Sequence, residues 1–363
     1  MPEEWTRVVN TTIHDYLREV EVGVLRNRKL LALMQSKGRV TFDHSGDKLD
    51  WKVRYKRVPI QGYADMDTLT FSRANRWLTA QLVVRGYAAT DMINKRERLM
   101  NKSTQAIVKV FSEITANLME DIEDQFGDEL YGDGEAAGRT KNIHGLESFL
   151  GDTGAEATAG FIYPPSDTYA GLITNLGNYG GNWSTSGGNV NWPSGTGDTH
   201  YDFWSPVIVK VTSQSWAAST KTWPNTCREA LRYGLIKGRR NKSKRGTIDL
   251  VLMDGEWYRQ LEEKIEATER LVVSRGEAGG LLSLGFKDTL NFEGVDHTWE
   301  YGIPSETAYG IPTESLELCS WQKTLFEPYG PDYDVSTQSY RYSIDFFGNL
   351  KCASPRGFVK WKT

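Results

Sequence analysis

The sequence predicts an α+β chain built from several modules, and three changes in hydrophobic pattern support this fold class. Residues 47–57 alternate strictly between apolar and charged side chains, which is the two-residue period of a half-buried strand. Residues 93–126 carry apolar side chains in steps of three and four, the period of an amphipathic helix. After Pro206, strand-like and helix-like segments follow one another to the C-terminus. A chain of 363 residues is long enough for two or three modules with substantial cores.

The first forty residues, 1–40, are predicted to form an N-terminal arm. Within them, residues 11–35 carry a helical apolar stripe, and Thr11 or Thr12 is available as its cap. The stripe is narrow and the opposite side is crowded with charge, so this helix needs another surface to dock on, such as a neighbouring copy of the chain. Its apolar residues are Ile13, Leu17, Val20, Val24 and Leu25.

Residues 41–92 are predicted to form an extended β-hairpin with largely basic faces. The first strand is the alternating run 47–57, which ends at Pro59 and Gly62, and a second extended run covers Phe71 to Tyr87. A two-stranded ribbon of this length has no core of its own and is marginal in isolation, so we expect it to lie against another surface. Six hairpin residues are candidate contacts between copies: Trp51, Arg54, Lys56, Arg73, Arg76 and Trp77.

The next module, residues 93–150, begins with the longest predicted helix. At ~1.5 Å per residue, a helix over 93–126 would be about 50 Å long. Its basic residues stand at the start and its acidic residues near the end, which is the reverse of what the helix dipole favours. Pairing between copies explains this arrangement, although surface charges often have no such purpose. The acidic candidates for such contacts are Glu120, Asp121, Glu123 and Asp124.

The formal net charge of −4 hides a strong asymmetry along the chain. Residues 1–110 hold 20 basic and 12 acidic side chains, a balance of +8, whereas residues 111–205 hold 2 basic and 15 acidic side chains, a balance of −13. Opposite charges on two parts of one chain can pair within the fold or between copies, or form two solvated surfaces. If they pair between copies, assembly is expected to depend on salt. The small net charge argues against a dedicated nucleic-acid binder.

The second half of the chain falls into three parts. Residues 151–205 contain 11 glycines together with Trp183, Trp192 and Trp204, show no sustained period, and are interpreted as a long excursion. Residues 206–320 have a mixed α/β pattern, and residues 321–363 close the chain with further strands. The expected elements are strands at 207–211, 247–253, near Leu290, and at 316–321, 340–347 and 358–361, with helices at 223–237 and 256–269.

No catalytic, cofactor or metal site is predicted. The five histidines are scattered and none belongs to a zinc-binding helix motif. Asp198, His200 and Asp202 would share one face of an extended segment, but no second ligand segment accompanies them. A glycine-rich stretch lacks the Gly-Lys-Ser/Thr that holds a phosphate, and is interpreted as a loop. Its glycines are Gly276, Gly279, Gly280 and Gly285.

A basic run between Lys237 and Arg245 has two interpretations that remain open: a contact with nucleic acid or an acidic neighbour, and a solvated loop. The three cysteines, Cys227, Cys319 and Cys352, have neither a disulfide framework nor zinc-ligand spacing, so we expect reduced thiols in a cytoplasmic product. No secretion signal is visible, and no apolar stretch approaches the roughly 20 residues of a membrane span.

Several local stretches, taken in order, resemble those of tailed-phage major capsid proteins, the fold shared with encapsulins and the herpesvirus capsid floor. The resemblance covers nearly the whole chain, and its specificity lies in the order of the stretches. They are Leu49–Tyr55, Arg85–Tyr87, Asn142–Glu147, Tyr201–Pro206, Asp249–Met253, Phe347–Leu350 and Ser354–Arg356. The implied parts are the N-terminal arm (1–40), extended loop (41–92), peripheral domain with its spine helix (93–150), excursion (151–205), axial domain (206–320) and C-terminal strands returning to the peripheral domain (321–363).

The resemblance implies a structural protein and not an enzyme. Such a subunit would assemble with itself, as pentamers and hexamers, into the icosahedral shell that encloses double-stranded phage DNA. Scaffolding and portal proteins, and a cement protein in some relatives, would be its partners, while packaged DNA would be held weakly and no membrane would be bound. The expected location is the virion capsid, assembled in the host cytoplasm.

Two alternatives remain open. An encapsulin-like nanocompartment shell would share the fold, although the long 151–205 excursion argues against it. A carbohydrate-binding β-rich protein would use the 12 Trp and 17 Tyr residues, although the long charged helix and the lack of a secretion signal argue against that.

Overall fold

The computed structural model describes residues 28–54, 60–71, 73, 75–96, 118, 121–122, 124–152, 154, 161–163, 165–174, 204–239, 247–266 and 289–363. Several predictions lie outside these residues. They concern most of the helices at 11–35 and 93–126, the candidate contacts Lys56, Glu120 and Glu123, the Asp198–His200–Asp202 cluster, the glycine-rich stretch and most of the basic run.

The described part of the chain contains three helices of eight or more residues and sixteen strands. The helices are α1 (Lys29–Ser36), α2 (Trp223–Gly238) and α3 (Gly255–Glu266). The first eight strands are β1 (Val40–Thr41), β2 (Lys48–Arg54), β3 (Trp77–Val83), β4 (Arg85–Asn94), β5 (Ile162–Tyr163), β6 (Thr168–Tyr169), β7 (Leu172–Ile173) and β8 (Val207–Lys210). The others are β9 (Leu250–Met253), β10 (Leu290–Phe292), β11 (Val295–Trp299), β12 (Thr307–Ile311), β13 (Leu316–Ser320), β14 (Glu327–Asp334), β15 (Ser339–Cys352) and β16 (Val359–Lys362).

A seven-stranded mixed sheet, in the order β10-β11-β9-β12-β16-β8-β5, forms the centre of the α/β part. Its strand β9 is apolar at every position because both faces of the sheet are covered. Leu250 and Leu252 point to one core, whereas Val251 and Met253 point to the other, beneath α2 and α3. The two helices are joined by Trp223, whose ring stacks on Trp257 at 3.9 Å between centroids.

A five-stranded sheet is built around the 14-residue strand β15. One edge of β15 pairs with β4 over ten residues, and the other pairs with β14 and then with β13. Alternate residues of β15, including Ile344, Phe346 and Leu350, enter the core. The edge strand β14 carries Pro328 and Pro331, which lack the N–H that a further strand would need.

The hairpin prediction is confirmed at its base. β2 and β3 pair antiparallel in continuous register from Lys48–Val83 to Arg54–Trp77. The expectation that the ribbon has no core of its own and lies against another surface is confirmed, because four of its side chains pack into the main core of the same chain. They are Leu49, Val53, Ala80 and Leu82.

Two assignments of strands to parts of the chain need correction. β16 was expected to return to the peripheral part with 321–363, but it lies between β12 and β8 in the seven-stranded sheet. β13 was expected in the axial part with 206–320, but it pairs with β15 and β1. A buried strand has the same run of apolar residues in either sheet. The hydrophobic pattern alone therefore does not identify the strand with which it pairs.

The segment 146–152 fastens the C-terminal strand to the rest of the chain. Lys360, which is almost fully buried, pairs with Glu147 at 2.6 Å, and the Tyr309 hydroxyl donates to the same carboxylate. Lys362 pairs with Asp152 at 2.7 Å. These contacts hold β16 against a segment more than 200 residues earlier in the sequence.

Candidate intermolecular surface

The tip of the β2–β3 hairpin presents apolar side chains to solvent on an ordered loop. The Gln61 side chain closes this loop, since Nε2 donates to the Thr70 carbonyl at 2.9 Å and Oε1 accepts from the Thr70 N–H at 3.0 Å. The exposed fraction is 98% for Ile60 and 92% for Phe71. Isolated exposed apolar residues are normal, but a cluster on one element marks an interaction surface. The apolar tip, as named hereafter, comprises Ile60, Tyr63, Met66, Leu69 and Phe71.

Trp51, a candidate contact between copies, is half-buried against its own chain. Its indole N–H donates to the Ala353 carbonyl at 3.1 Å, and its ring lies 6.4 Å from that of Tyr169. The Lys351 ammonium stands 5.5 Å from the same ring. In the single chain, Trp51 therefore fastens the hairpin base to the end of β15.

The other described basic and aromatic candidates lie nearer the apolar tip. Arg54 and Trp77 are paired across the end of the ribbon, and Trp77 remains 54% exposed. Arg73 is exposed and Arg76 is half-buried. The pairing of β2 with β3 thus brings two of the predicted contacts together beside the apolar tip.

The described acidic candidates lie on a helical segment that ends near residue 129. Asp121 is exposed. The Asp124 side chain is also largely exposed, yet its Oδ1 lies 3.5 Å from Arg28 of its own chain. Within the described residues, no ion pair joins Arg73 or Arg76 to Asp121 or Asp124.

The side chain that positions the hairpin base was missed by the sequence analysis. Asn349 is fully buried, and its Nδ2 donates to the Val83 carbonyl at 2.7 Å and to His144 Nδ1 at 2.8 Å. Its Oδ1 accepts from the backbone N–H groups of His144 and Leu350. Asn349 and His144 lie in two of the stretches that carry the family resemblance. That resemblance was the one feature of the sequence that pointed to these two residues.

A second surface, also missed, is the open groove between β4, β14 and β15, with a volume of about 780 Å³. Tyr329, Tyr333 and Met92 line it and remain substantially exposed. Its charged groups include Asp334, which pairs with Arg341. β14 was not predicted from the sequence, because Pro328, Gly330 and Pro331 interrupt its pattern.

Clusters of titratable side chains that could form a metal site are absent from the described part of the chain. No group of three or more His, Cys, Asp or Glu side chains is placed there to hold a metal ion. The three cysteines are free and buried, and burial raises the pKa of the Cys227 and Cys319 thiols. Among the described helices, none has the length and apolar character needed to cross a bilayer.

Comparison with known proteins identifies the fold. No protein-family profile and no curated protein matches the sequence. Solved structures do match: a chain of the cyanophage A-1(L) capsid superimposes with a TM-score of 0.56 at 13% identity, covering 92% of each chain. A capsid chain of the native GTA particle gives 0.54 at 9% identity, covering 91% of this chain and 90% of that one. The capsid of Myoviridae phage XM1 gives 0.50 at 11% identity and 91% of each chain. The chain therefore has the fold of these capsid chains, and the predicted fold class is confirmed.

Proposed function

We propose that this protein is a structural subunit that assembles with copies of itself into the icosahedral shell of a tailed phage, enclosing double-stranded DNA. The observation that carries the proposal is the apolar tip, which is ordered and exposed in a single copy. Shell assembly adds many modest contacts of this kind through multivalency. The fold is consistent with this role, since the similar solved chains come from capsids.

The apolar tip is suited to contact another copy because its own chain leaves it uncovered. Ile60 and Phe71 present their side chains almost entirely to water. Burying apolar area contributes about 25 cal/mol per Å², so covering two such side chains contributes a few kcal/mol. The Gln61–Thr70 hydrogen bonds close the loop that carries the tip, which reduces the conformational entropy lost on association.

The remaining roles follow from the same proposal. The subunit acts by assembly and not by catalysis, takes no cofactor, and forms pentamers and hexamers in a virion capsid assembled in the host cytoplasm. Scaffolding and portal proteins, with or without a cement protein, are its proposed partners, and it holds packaged DNA weakly. Trp51, Arg54, Lys56, Arg73, Arg76 and Trp77, with Glu120, Asp121, Glu123 and Asp124, remain proposed contacts between copies.

Negative-stain electron microscopy of the full chain, expressed alone and with the upstream neighbouring gene, tests the proposal. Closed shells, or pentamers and hexamers that curve into them, are the expected result. Their appearance is expected to depend on salt if the charged contacts pair between copies. A well-behaved monomer in both preparations, at every salt concentration, would contradict the proposal. Shells that enclose a protein cargo and no DNA during phage growth would favour a nanocompartment.

A double variant, Ile60→Ser with Phe71→Ser, tests the apolar tip itself. Both side chains point into water in one copy, so the variant is expected to keep its circular dichroism spectrum and thermal midpoint but to lose closed shells. Ile236→Ser is the matched control, since Ile236 is an exposed apolar residue on α2, and 62% of it is accessible. Equal assembly by the tip variant and the wild-type chain would remove the apolar tip from the proposed interface.

A further inference from the structure

The start of α1 is held in a buried polar socket, separate from the hairpin. Arg28 donates from Nη1 to the Tyr301 carbonyl at 3.0 Å and from Nη2 to the Asp124 carbonyl at 3.0 Å. It lies so close to Gly127 that a Cβ there would stand 2.1 Å from Nε. Arg28 thereby joins three segments: the chain entering α1, the helical segment ending near residue 129, and the turn after β11.

The next two residues extend the same attachment. The Lys29 ammonium donates to the Thr298 hydroxyl at 2.7 Å and stands 4.8 Å from the centre of the Trp299 ring. The Leu30 N–H donates to Glu300 Oε2 at 3.0 Å. Arg28 and Lys29 are both less than a tenth exposed. Two cations and one helix-terminal N–H are thus gathered around one carboxyl group.

Glu300 is the unusual member of this socket. Only 5% of the residue is accessible, and its second oxygen, Oε1, is buried beside the Tyr131 hydroxyl without a regular hydrogen bond to it. Arg28 and Lys29 also donate hydrogen bonds to acceptors other than Glu300, namely the Tyr301 and Asp124 carbonyls and the Thr298 hydroxyl. An ionised carboxylate in this position loses its hydration and recovers it only in part. Displacing residues 28–30 would return the carboxyl group to water.

We propose that Arg28, Lys29, Leu30, Tyr131 and Glu300 form a proton-dependent latch, which holds residues 28–30 against the body of the protein more tightly in acid than in alkaline solution. Burial raises the pKa of Glu300 to about 7, while the Leu30 N–H, Tyr131 and the two cations act in the opposite direction. At pH values between the ordinary carboxyl pKa and about 7, the closed latch therefore holds a proton that the open latch has released. Acid consequently favours closure.

The other titratable groups around the latch do not reverse this direction. Asp124 and Asp128 face Arg28 from the helical segment, both largely exposed. On the strand that leads to Glu300, His297 is fully buried and its pKa is lowered to about 4, so it stays neutral between pH 5 and 8. Behind Tyr131, the Tyr309 ring stacks at 5.9 Å and its hydroxyl donates to Glu147. Burial raises the pKa of both tyrosines above this range.

Hydrogen–deuterium exchange of the full chain between pH 5.5 and 8 tests the latch. With carboxyl pKa values of 4.5 when open and about 7 when closed, linkage gives a loss of protection in residues 28–36 of about 30-fold, after correction for intrinsic exchange. Peptides of β9, which is fully buried, report global opening, so residues 28–36 should exchange faster than β9 at every pH. A pH-independent response of residues 28–36, or protection there equal to that of β9, would overturn the proposal.

Three variants separate the carboxyl group from other causes. Glu300→Gln keeps an acceptor for the Leu30 N–H but cannot ionise, so protection of residues 28–36 should no longer depend on pH. Tyr131→Phe leaves the carboxyl group in place and removes a hydroxyl that lowers its pKa, so the midpoint should move upward. Glu314→Gln changes an exposed carboxyl group and should behave as wild type. A pH response that survives unchanged in both Glu300→Gln and Tyr131→Phe would overturn the latch.

Discussion

The side-chain amide of Asn349 makes two hydrogen bonds to His144, one to its imidazole and one to its backbone N–H, although 205 residues separate the two residues. Asn349 Nδ2 donates to His144 Nδ1 at 2.8 Å, and Asn349 Oδ1 accepts from the His144 backbone N–H at 2.9 Å. With Nδ1 as acceptor, the ring proton resides on Nε2, which lies 3.5 Å from Glu135. The same amide reaches Val83 at the end of β3. The base of the hairpin is thereby connected to both β15 and the 142–150 segment.

Replacing Asn349 should therefore destabilise the fold strongly. Asn349→Ala leaves the Val83 carbonyl, His144 Nδ1 and two backbone N–H groups without their present partner in the interior. Each buried group left unsatisfied costs roughly 1–3 kcal/mol, so we expect a loss of about 3 kcal/mol or more in the free energy of unfolding. Chemical denaturation of the unassembled subunit measures it. Asn291→Ala, which removes an exposed hydrogen bond to Asp296, is the control and should change stability little.

Fastening of the C-terminal strand predicts a second sensitive position. Lys360→Ala removes the ammonium that pairs with Glu147 at 2.6 Å in a nearly buried place. Removing one partner of a buried pair costs roughly 3–5 kcal/mol. Because Glu147 keeps the Tyr309 hydroxyl and some exposure to solvent, we expect a loss at or just below the lower end of this range, about 2–3 kcal/mol. Arg259→Ala breaks exposed pairs on α3 and should leave the denaturation midpoint almost unchanged; similar losses in both variants would contradict the buried role of Lys360.

Gly348 marks the point where β15 passes from β14 to β13. A Cβ at this position would stand 2.2 Å from the Cys319 carbonyl oxygen, a backbone atom that cannot move aside without breaking strand pairing. Overpacking of this kind costs roughly 1–3 kcal/mol, so Gly348→Ala should lower the thermal midpoint by several degrees. Gly62→Ala is the matched control, since nothing lies within 4 Å of its added methyl group. An unchanged midpoint for Gly348→Ala would show that the two strands have room to separate.

Much of the fold could be predicted from local pattern. The alternation Leu49, Trp51, Val53 predicted β2, and the helix expected at 223–237 is observed at Trp223–Gly238. Elements of this kind depend on the period of their own residues. β14 was not predicted, because its two prolines and Gly330 conceal a strand whose pairing is set by β15.

The site was predictable only in outline. A ribbon rich in Arg, Lys and Trp indicated an exposed element, but its length in sequence did not reveal that Leu49 and Leu82 would be buried while Ile60 and Phe71 would be exposed. That division depends on where β15 and Ala353 lie, several hundred residues later. Asn349 and Glu300 were missed for the same reason, because a single buried polar residue has no period and its partners are distant in sequence.

A last prediction concerns the pH dependence of stability. Burial raises the pKa of Asp167 to about 7, with nearby Asp133 and Glu135 acting in the same direction. In the unfolded state the carboxyl pKa is 3.8, so the folded state holds a proton that the unfolded state has already released. Stability therefore falls as pH rises from about 4 to 7. In Asp167→Asn this component is absent, so the difference between the free energies of unfolding at pH 5 and pH 8 should be smaller than in wild type by about 2.5 kcal/mol. Asp65→Asn, at an exposed position in the hairpin loop, should retain the full difference. If Asp167→Asn retains it too, Asp167 is ionised in the folded protein throughout this range.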